Sequence, residues 1–332
     1  MNYMKSLLNN SLLKTALLLV SLTLSIGSSK IVQAGRNNLP FVVEQYGTAP
    51  DGSILQWARY TPAGRGPWPV VILVHGGGFR GGGLSSNDVA AQDLQAAGFL
   101  ALSITYRLAP PGLIPGQPRT FNGRTTGIAA GPTADPTIHD QIDDVRAAIV
   151  AARTIRRSNG KVLGVGGSAG GSHVAFACLT GTPGADKLDA AVGLSGAYQF
   201  DDFEDDYQTP AKPNAGLGFR ANVTNYCNVP DMNPSNMPAL QSASPASQSS
   251  IDPNPMFLIA SQQDPMPPHQ ITDMVEVLRV AGKTVTNWPE TSDFQFVVIS
   301  GDLHEFAYWT QLIAPNTEVK DAVIAFLNAH KG

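Results

Sequence analysis

Six short apolar runs, separated by stretches of helical periodicity, limit what this chain can fold into. They are Val70-Val71-Ile72-Leu73-Val74, Phe99-Leu100-Ala101-Leu102-Ser103-Ile104, Val162-Leu163-Gly164-Val165, Ala190-Ala191-Val192-Gly193-Leu194, Met256-Phe257-Leu258-Ile259-Ala260 and Phe294-Gln295-Phe296-Val297-Val298-Ile299. Runs with so little polar alternation suit strands buried on both faces of a parallel sheet. Between them, apolar residues recur at helical spacing: Val89, Ala90, Leu94 and Ala97, then Ile142, Val145, Ala148, Ile149 and Ala152, then Ile271, Met274, Val275, Leu278 and Val280. The first of these helices closes at Gly98, the second is expected over 140–157 with Asn159-Gly160 as its stop, and a last helix is expected over 319–329. Alternation of this kind from Pro69 onward predicts an α/β fold: a mostly parallel central sheet with helices on both faces. Upstream, residues 39–46 and 54–60 read as strands joined by a turn at Asp51-Gly52.

Composition excludes several function classes. Of the 332 residues 43% are apolar and 14% charged, and the formal net charge is −4. That is a globular composition with no basic patch, which argues against disorder and nucleic-acid binding. Residues 1–34 read as a signal peptide: Lys5 and Lys14 precede the apolar core 16–24, and Val32-Gln33-Ala34 is a small-residue exit before Gly35. The apolar core is too short for a comfortable membrane span, and no cysteine follows the exit to carry a lipid. The expectation is a secreted or periplasmic domain over 35–332, with no stable span after processing. Export permits a disulfide between Cys178 and Cys227, but Cys178 suits packing as a small apolar residue. Asn222-Val223-Thr224 is a glycosylation sequon, of consequence only in a source that glycosylates.

The stretch 161–179 carries the chemistry. An apolar run ends in Gly166-Gly167-Ser168-Ala169-Gly170-Gly171, and Ser172 to Leu179 continues as a helix. Strand, sharp turn and helix form the setting of the G-x-S-x-G pattern, which exposes a serine hydroxyl on a strained corner. Gly164 to Ala169 also fits the dinucleotide pattern G-x-G-x-x-A, which calls for an acidic residue ending the next strand; Asp186 and Asp189 precede that strand instead. A nucleophilic serine needs a base, and the base an orienting acid. His304, just after the last strand, is the candidate base. His75 belongs to a glycine loop, His139 and His173 fall on helices, His269 starts one and His330 lies in the tail. His304-Glu305 does not complete an H-E-x-x-H zinc pattern, because Tyr308 stands at the second ligand position, and no other metal cluster is visible. Asp264, after the strand ending at Ala260, is the candidate acid, ahead of Asp293 and Asp302. The backbone N–H groups of Gly77, Gly78 and Ala169 are candidate donors to an oxyanion.

Taken together, His75-Gly76-Gly77-Gly78-Phe79, Tyr106-Arg107-Leu108-Ala109-Pro110, the glycine-flanked Ser168, Leu194-Ser195-Gly196, Asp264 and His304 resemble the α/β-hydrolases. Within them the chain is similar to the hormone-sensitive-lipase-like carboxylesterases and to acetylxylan and feruloyl esterases. The resemblance covers the chain from about Leu39. It implies hydrolysis of short acyl esters, on small molecules or on plant polysaccharide, without a cofactor. It implies Ser168, Asp264 and His304 as triad, and Asp144 as the aspartate of the helix after the Tyr-Arg-Leu-Ala-Pro segment. Strands rather than a helical cap over 35–68 favour the compact acetylxylan and feruloyl type. The alternatives are a peptidase, amidase or long-chain lipase on the same fold, and a non-catalytic binding protein on a hydrolase scaffold. Residues 111–137 read as a long surface loop and 200–255 as a loop-rich insertion forming a partial cover.

Overall fold

All six apolar runs form strands of one sheet. The structure, a computed structural model, describes residues 32–34, 40–109, 118–121, 124–128, 138–202, 207–248 and 251–332. The expected signal peptide up to residue 31 lies outside them, as does most of 111–137. In chain order, the first elements are β1 (Val32–Ala34), β2 (Pro40–Thr48), β3 (Ile54–Tyr60), β4 (Trp68–Val74), α1 (Asp88–Ala96) and β5 (Leu100–Ile104). Then come β6 (Pro118–Phe121), β7 (Arg124–Ile128), α2 (Ile138–Arg153), β8 (Ser158–Gly167), α3 (Ala169–Leu179) and β9 (Ala190–Leu194). Next are α4 (Ala215–Tyr226), α5 (Met237–Ala243), β10 (Met256–Ser261), α6 (His269–Val280), β11 (Val285–Asn287) and β12 (Phe294–Ile299). The chain closes with β13 (Leu312–Ala314), β14 (Thr317–Glu318) and α7 (Val319–His330).

Ten strands make the main sheet, in the order β1-β2-β3-β5-β4-β8-β9-β10-β12-β11. Pairing from β1 to β5 through β2 and β3 is antiparallel. From β5 across to β11 it is parallel throughout. Alternate residues of each buried run go to opposite faces. Val70, Ile72 and Val74 pack with Val145 and Ile149 of α2, Val174 of α3 and Met274 of α6. Val71 and Leu73 pack with Leu94 of α1 and Val323 and Phe326 of α7 on the other face. Helices thus cover both faces, which is why these strands carry no polar alternation.

Several elements differ from the sequence reading. Helix α2 stops at Arg153, and Ser158 already begins β8, so Asn159-Gly160 lies inside a strand rather than ending the helix. β6 and β7 form an antiparallel hairpin within the stretch read as a loop. β1 pairs with β2 although its residues fall within the expected leader. The insertion 200–255 is not loop-rich throughout: it holds α4 and α5. These helices build a third, smaller core from Phe200, Val223, Tyr226, Cys227, Leu240 and Ala243 against Phe79 and Ala169. Cys178 and Cys227 are both buried free thiols, so the disulfide alternative is not met. Among the described residues no helix is long and apolar enough to cross a membrane.

Two histidines are held neutral inside the fold. Burial pushes His75 down to about 4 and His173 down to about 3, from an ordinary value of 6.5. His173 Nε2 lies 2.9 Å from Gln141 Oε1, while Gln141 Nε2 donates to the Phe79 carbonyl at 2.8 Å. The amide orientation therefore puts the imidazole proton on Nε2. Because the folded values are depressed, the unfolded chain takes up protons first as pH falls below about 6.5, and stability is lost from there down to about 3–4. Each histidine contributes a slope of at most about 1.4 kcal/mol per pH unit. Urea unfolding between pH 7 and 4 is expected to give a steeper loss for the native chain than for His173→Gln.

Candidate active site

The Ser168 corner is shaped by glycine. A Cβ on Gly170 would lie 2.0 Å from the Val74 carbonyl oxygen, and one on Gly166 would lie 2.1 Å from the Gly170 carbonyl oxygen. No real side chain tolerates such distances, so both positions need glycine for α3 to abut the ends of β4 and β8. Ser168 between them takes φ 52° and ψ −119°. A serine at positive φ is strained, by about 1–3 kcal/mol, and such strain persists only where its surroundings impose it. Its N–H donates to the Leu194 carbonyl at 2.8 Å, which pins the corner to β9. Ala169 is the first residue of α3, so its N–H is among the donors that the helix itself leaves unused.

Asp264 and His304 meet across the ends of β10 and β12. His304 Nδ1 donates to Asp264 Oδ1 at 2.6 Å. Asp264 is wholly buried, whereas the His304 side chain keeps 19% of its surface exposed. The carboxylate is heavily donated to. Met266 N–H reaches Oδ1 at 2.8 Å, the Ser261 N–H lies 3.4 Å from Oδ2, and the Ser195 hydroxyl donates to Oδ2. Ser195, itself at φ 51°, accepts from the Glu305 N–H at 3.1 Å and lies 3.0 Å from the Tyr308 hydroxyl. Such a shell stabilises a buried anion and fixes the imidazole, with the proton on Nδ1 and Nε2 left to act.

The glycine loop after β4 is held from three sides. The Tyr106 hydroxyl donates to the His75 carbonyl at 2.8 Å, and the two rings stack with centroids 4.3 Å apart. Ala109 N–H and Gln141 Nε2 both donate to the Phe79 carbonyl at 2.8 Å. Phe79, at φ 66°, stacks on Tyr226 of α4 at 4.1 Å. Behind Tyr106, Arg107 is anchored to Asp144. Arg107 Nη2 reaches Oδ1 at 2.9 Å, Nε reaches Oδ2 at 2.9 Å, and its N–H donates to Oδ2 at 2.8 Å. Gly77 sits at φ 112°, where a Cβ would also strike the Gly81 backbone at 2.5 Å.

Ser168, His304, Gly77 and Gly78 line one cavity of about 480 Å³, with Glu305, Arg80 and residues of the α4 segment. Asp264 lies behind His304 rather than in the cavity wall, and Ala169 is buried beside the serine. All six residues singled out in the sequence are thus brought to one end of the sheet. Several partners escaped that reading. Ser195 stood only as part of Leu194-Ser195-Gly196, with no signal for its bond to Asp264. In the sequence Glu305 stands only beside His304, in an incomplete zinc pattern; its carboxyl fills the space over Gly76 and Gly167, 2.2 Å and 2.6 Å from where their Cβ atoms would lie. Burial pushes that carboxyl up, opposed by His304 and Lys212. Phe219 of α4 lies 5.9 Å from the His304 ring. Elsewhere the fold brings Asp202, His269 and Asp273 within 4.8 Å of one another, a cluster the sequence did not reveal. There His269 Nε2 already pairs with the Asp202 carbonyl at 2.8 Å.

Solved structures share this architecture. The native form of a thermophilic esterase, Est2 from the Planctomycetes species Thermogutta terrifontis, superposes with TM-score 0.58 at 16% identity, over 86% of this chain and 91% of that one. The chain has the α/β-hydrolase fold. Esterase 2 of Thermogutta terrifontis phosphoramylated by tabun matches with TM-score 0.56 at 15% identity, over 87% of this chain and 92% of that one. Esterase B from Lactobacillus Rhamnosis matches with TM-score 0.55 at 17% identity, over 80% and 76%. No protein-family model and no curated protein sequence matches the chain. In this fold the Arg107–Asp144 pair is a buried brace for the loop bearing Gly77 and Gly78. Replacing Asp144 by alanine removes the buried carboxylate and leaves the guanidinium only the more exposed Asp140, 3.3 Å from Nη1, and is expected to cost up to about 3–5 kcal/mol in chemical unfolding.

Proposed function

We propose that this protein is a serine ester hydrolase of short acyl esters. The observation that carries the reading is the 2.6 Å bond from His304 Nδ1 to the buried Asp264, with Ser168 at positive φ on the wall of the same cavity as His304. In this reading His304 Nε2 takes the Ser168 proton as Oγ attacks the ester carbonyl. The N–H groups of Gly77, Gly78 and Ala169 receive the oxyanion, and Asp264 steadies the imidazolium. His304 then protonates the departing alcohol oxygen, and water cleaves the acyl-enzyme by the same route. The esterase names of the structural neighbours support ester over amide substrates. An organophosphate-modified neighbour supports reactivity toward phosphorus electrophiles.

Residues 1–34 are proposed as a cleaved export signal, and the protein as secreted or periplasmic. The cavity, lined by both polar and apolar residues, suits acyl groups carried on an oxygenated alcohol, including acetyl or feruloyl groups of plant polysaccharide. The N-terminal sequence of the exported protein is expected to begin at Gly35.

A fluorophosphonate probe is expected to label the native chain but not Ser168→Ala. Turnover of p-nitrophenyl acetate and butyrate should be lost in Ser168→Ala and fall by about 10⁴ in Asp264→Asn. Full activity in Ser168→Ala overturns the assignment, and absence of labelling in the native chain favours a binding protein on a hydrolase scaffold.

A further inference from the structure

Gly76 and Gly167 are glycines for a reason that their own backbone does not supply. Gly77 and Gly78 beside them sit at positive φ, whereas Gly76 and Gly167 do not. What excludes a side chain at both is the same carboxyl. A Cβ on Gly76 would lie 2.2 Å from Glu305 Oε2 and 2.9 Å from its Cδ, with the Gly167 carbonyl oxygen next at 3.0 Å. A Cβ on Gly167 would lie 2.6 Å from Oε2, and 2.9 Å from both the Glu305 Cβ and the Phe306 ring. The Glu305 side chain is therefore wedged between the loop that bears Gly77 and Gly78 and the residue before Ser168. It also lines the cavity that Ser168 and His304 share.

The main chain of Glu305 is committed as well. It directly follows His304 and opens the 3₁₀ turn Glu305–Tyr308 at φ 50°, a strained value for a glutamate. Its N–H donates at 3.1 Å to Ser195 Oγ, the hydroxyl that in turn donates to Asp264. On either side, the Ser261 hydroxyl donates to the Leu303 carbonyl at 2.6 Å and the Tyr308 hydroxyl to the Ile259 carbonyl at 3.0 Å. These bonds tie the turn to β10 and the acid. Toward the Ser168 corner and the glycine loop the turn presents the side chains of Glu305 and Phe306. The surroundings ask little charge of this carboxyl. Oε2 is buried without a hydrogen-bond partner among the described residues, and burial, the largest influence, disfavours the ionised form against the pull of His304 and Lys212.

We propose that Glu305 is a positioning residue for the hydrolysis: the reach of its side chain, rather than its charge, sets the His304 turn against the Ser168 corner and the loop of oxyanion donors. This deepens the ester-hydrolase reading and rests on it. Three separate pieces of chain must meet in register for the reaction, and Glu305 touches all three. Misplacing such parts by about 1 Å can cost about 10²-fold in rate.

The test separates reach from charge. Glu305→Gln keeps the length and drops the charge; Glu305→Asp keeps the charge and falls one methylene short. With p-nitrophenyl acetate, kcat is expected to fall less than about threefold in Glu305→Gln, about tenfold in Glu305→Asp and about 30-fold to 100-fold in Glu305→Ala, with KM changing less than about threefold in each. The rate of fluorophosphonate labelling, which reads attack by Ser168 alone, should fall in the same order. A Gln variant as impaired as the Ala variant, or an Asp variant more active than the Gln variant, overturns the inference. Gly76→Ala supplies a second measurement. It should lower kcat about tenfold in the native chain but less than about threefold further in Glu305→Ala, where the carboxyl it strikes is gone. The same pairing in chemical unfolding reads that contact without substrate: the midpoint shift caused by Gly76→Ala should shrink in Glu305→Ala, and equal shifts in the two chains count against the wedge. A native chain that neither hydrolyses the ester nor takes the label discards the parent reading and this role together. A native chain that does both, with all Glu305 variants at the native rate, discards the role alone.

Discussion

The site depends on one close approach, that of the α3 N-terminus to the end of β4. The Gly170 Cα lies so near the Val74 carbonyl that a methyl group there would sit 2.0 Å from the oxygen. Only with that contact can the chain leave β8, reverse through Ser168 at φ 52° and enter α3. The strain at the serine is held in place by the parallel sheet below it and by two helix faces packed on either side. A rigid corner of this kind presents a hydroxyl at a defined place, which a loop of the same composition would not.

Around that corner the polar groups form a connected set. Asp264 receives His304, Met266 and Ser195; Ser195 in turn receives Glu305 and neighbours Tyr308, whose hydroxyl donates to the Ile259 carbonyl at 3.0 Å. The Tyr207 hydroxyl donates to the Asp264 carbonyl at 2.5 Å, tying the segment ahead of α4 to the Asp264 turn. Through Tyr226 and Phe79 the same segment is tied to the glycine loop. The insertion is therefore wired to both sides of the cavity rather than draped over it.

Much of the fold was legible in the sequence, because burial on both faces leaves a pattern that needs no partner to be seen. Val70 to Val74 reads as a central strand for the same reason that it is one: alternate residues each meet a helix. The helices α4 and α5 were not legible. Their segment is rich in Asn, Pro and Ser, and it is buried by packing its own Phe200, Val223, Tyr226 and Leu240 against Phe79, far away in sequence. The short strand β11 escaped for a similar reason, since its pairing with β12 and not its own apolarity makes it a strand. Asn159-Gly160 has the look of a helix stop because a turn dipeptide carries no sign of the irregular pairing with β4, Trp68 to Ser158 and then Val70 to Val162, that keeps it within β8.

The candidate site divides along the same line. Ser168, Asp264, His304 and the two glycine loops were marked by sequence alone, since nucleophile, acid, base and close-packed backbone each demand a particular residue type after a strand. Ser195 on Asp264, Glu305 over Gly76 and Gly167, and Asn222 against Gly78 were decided only by tertiary structure. A serine, a glutamate or an asparagine fits countless surface positions, and its role follows from the neighbour that folding brings to it.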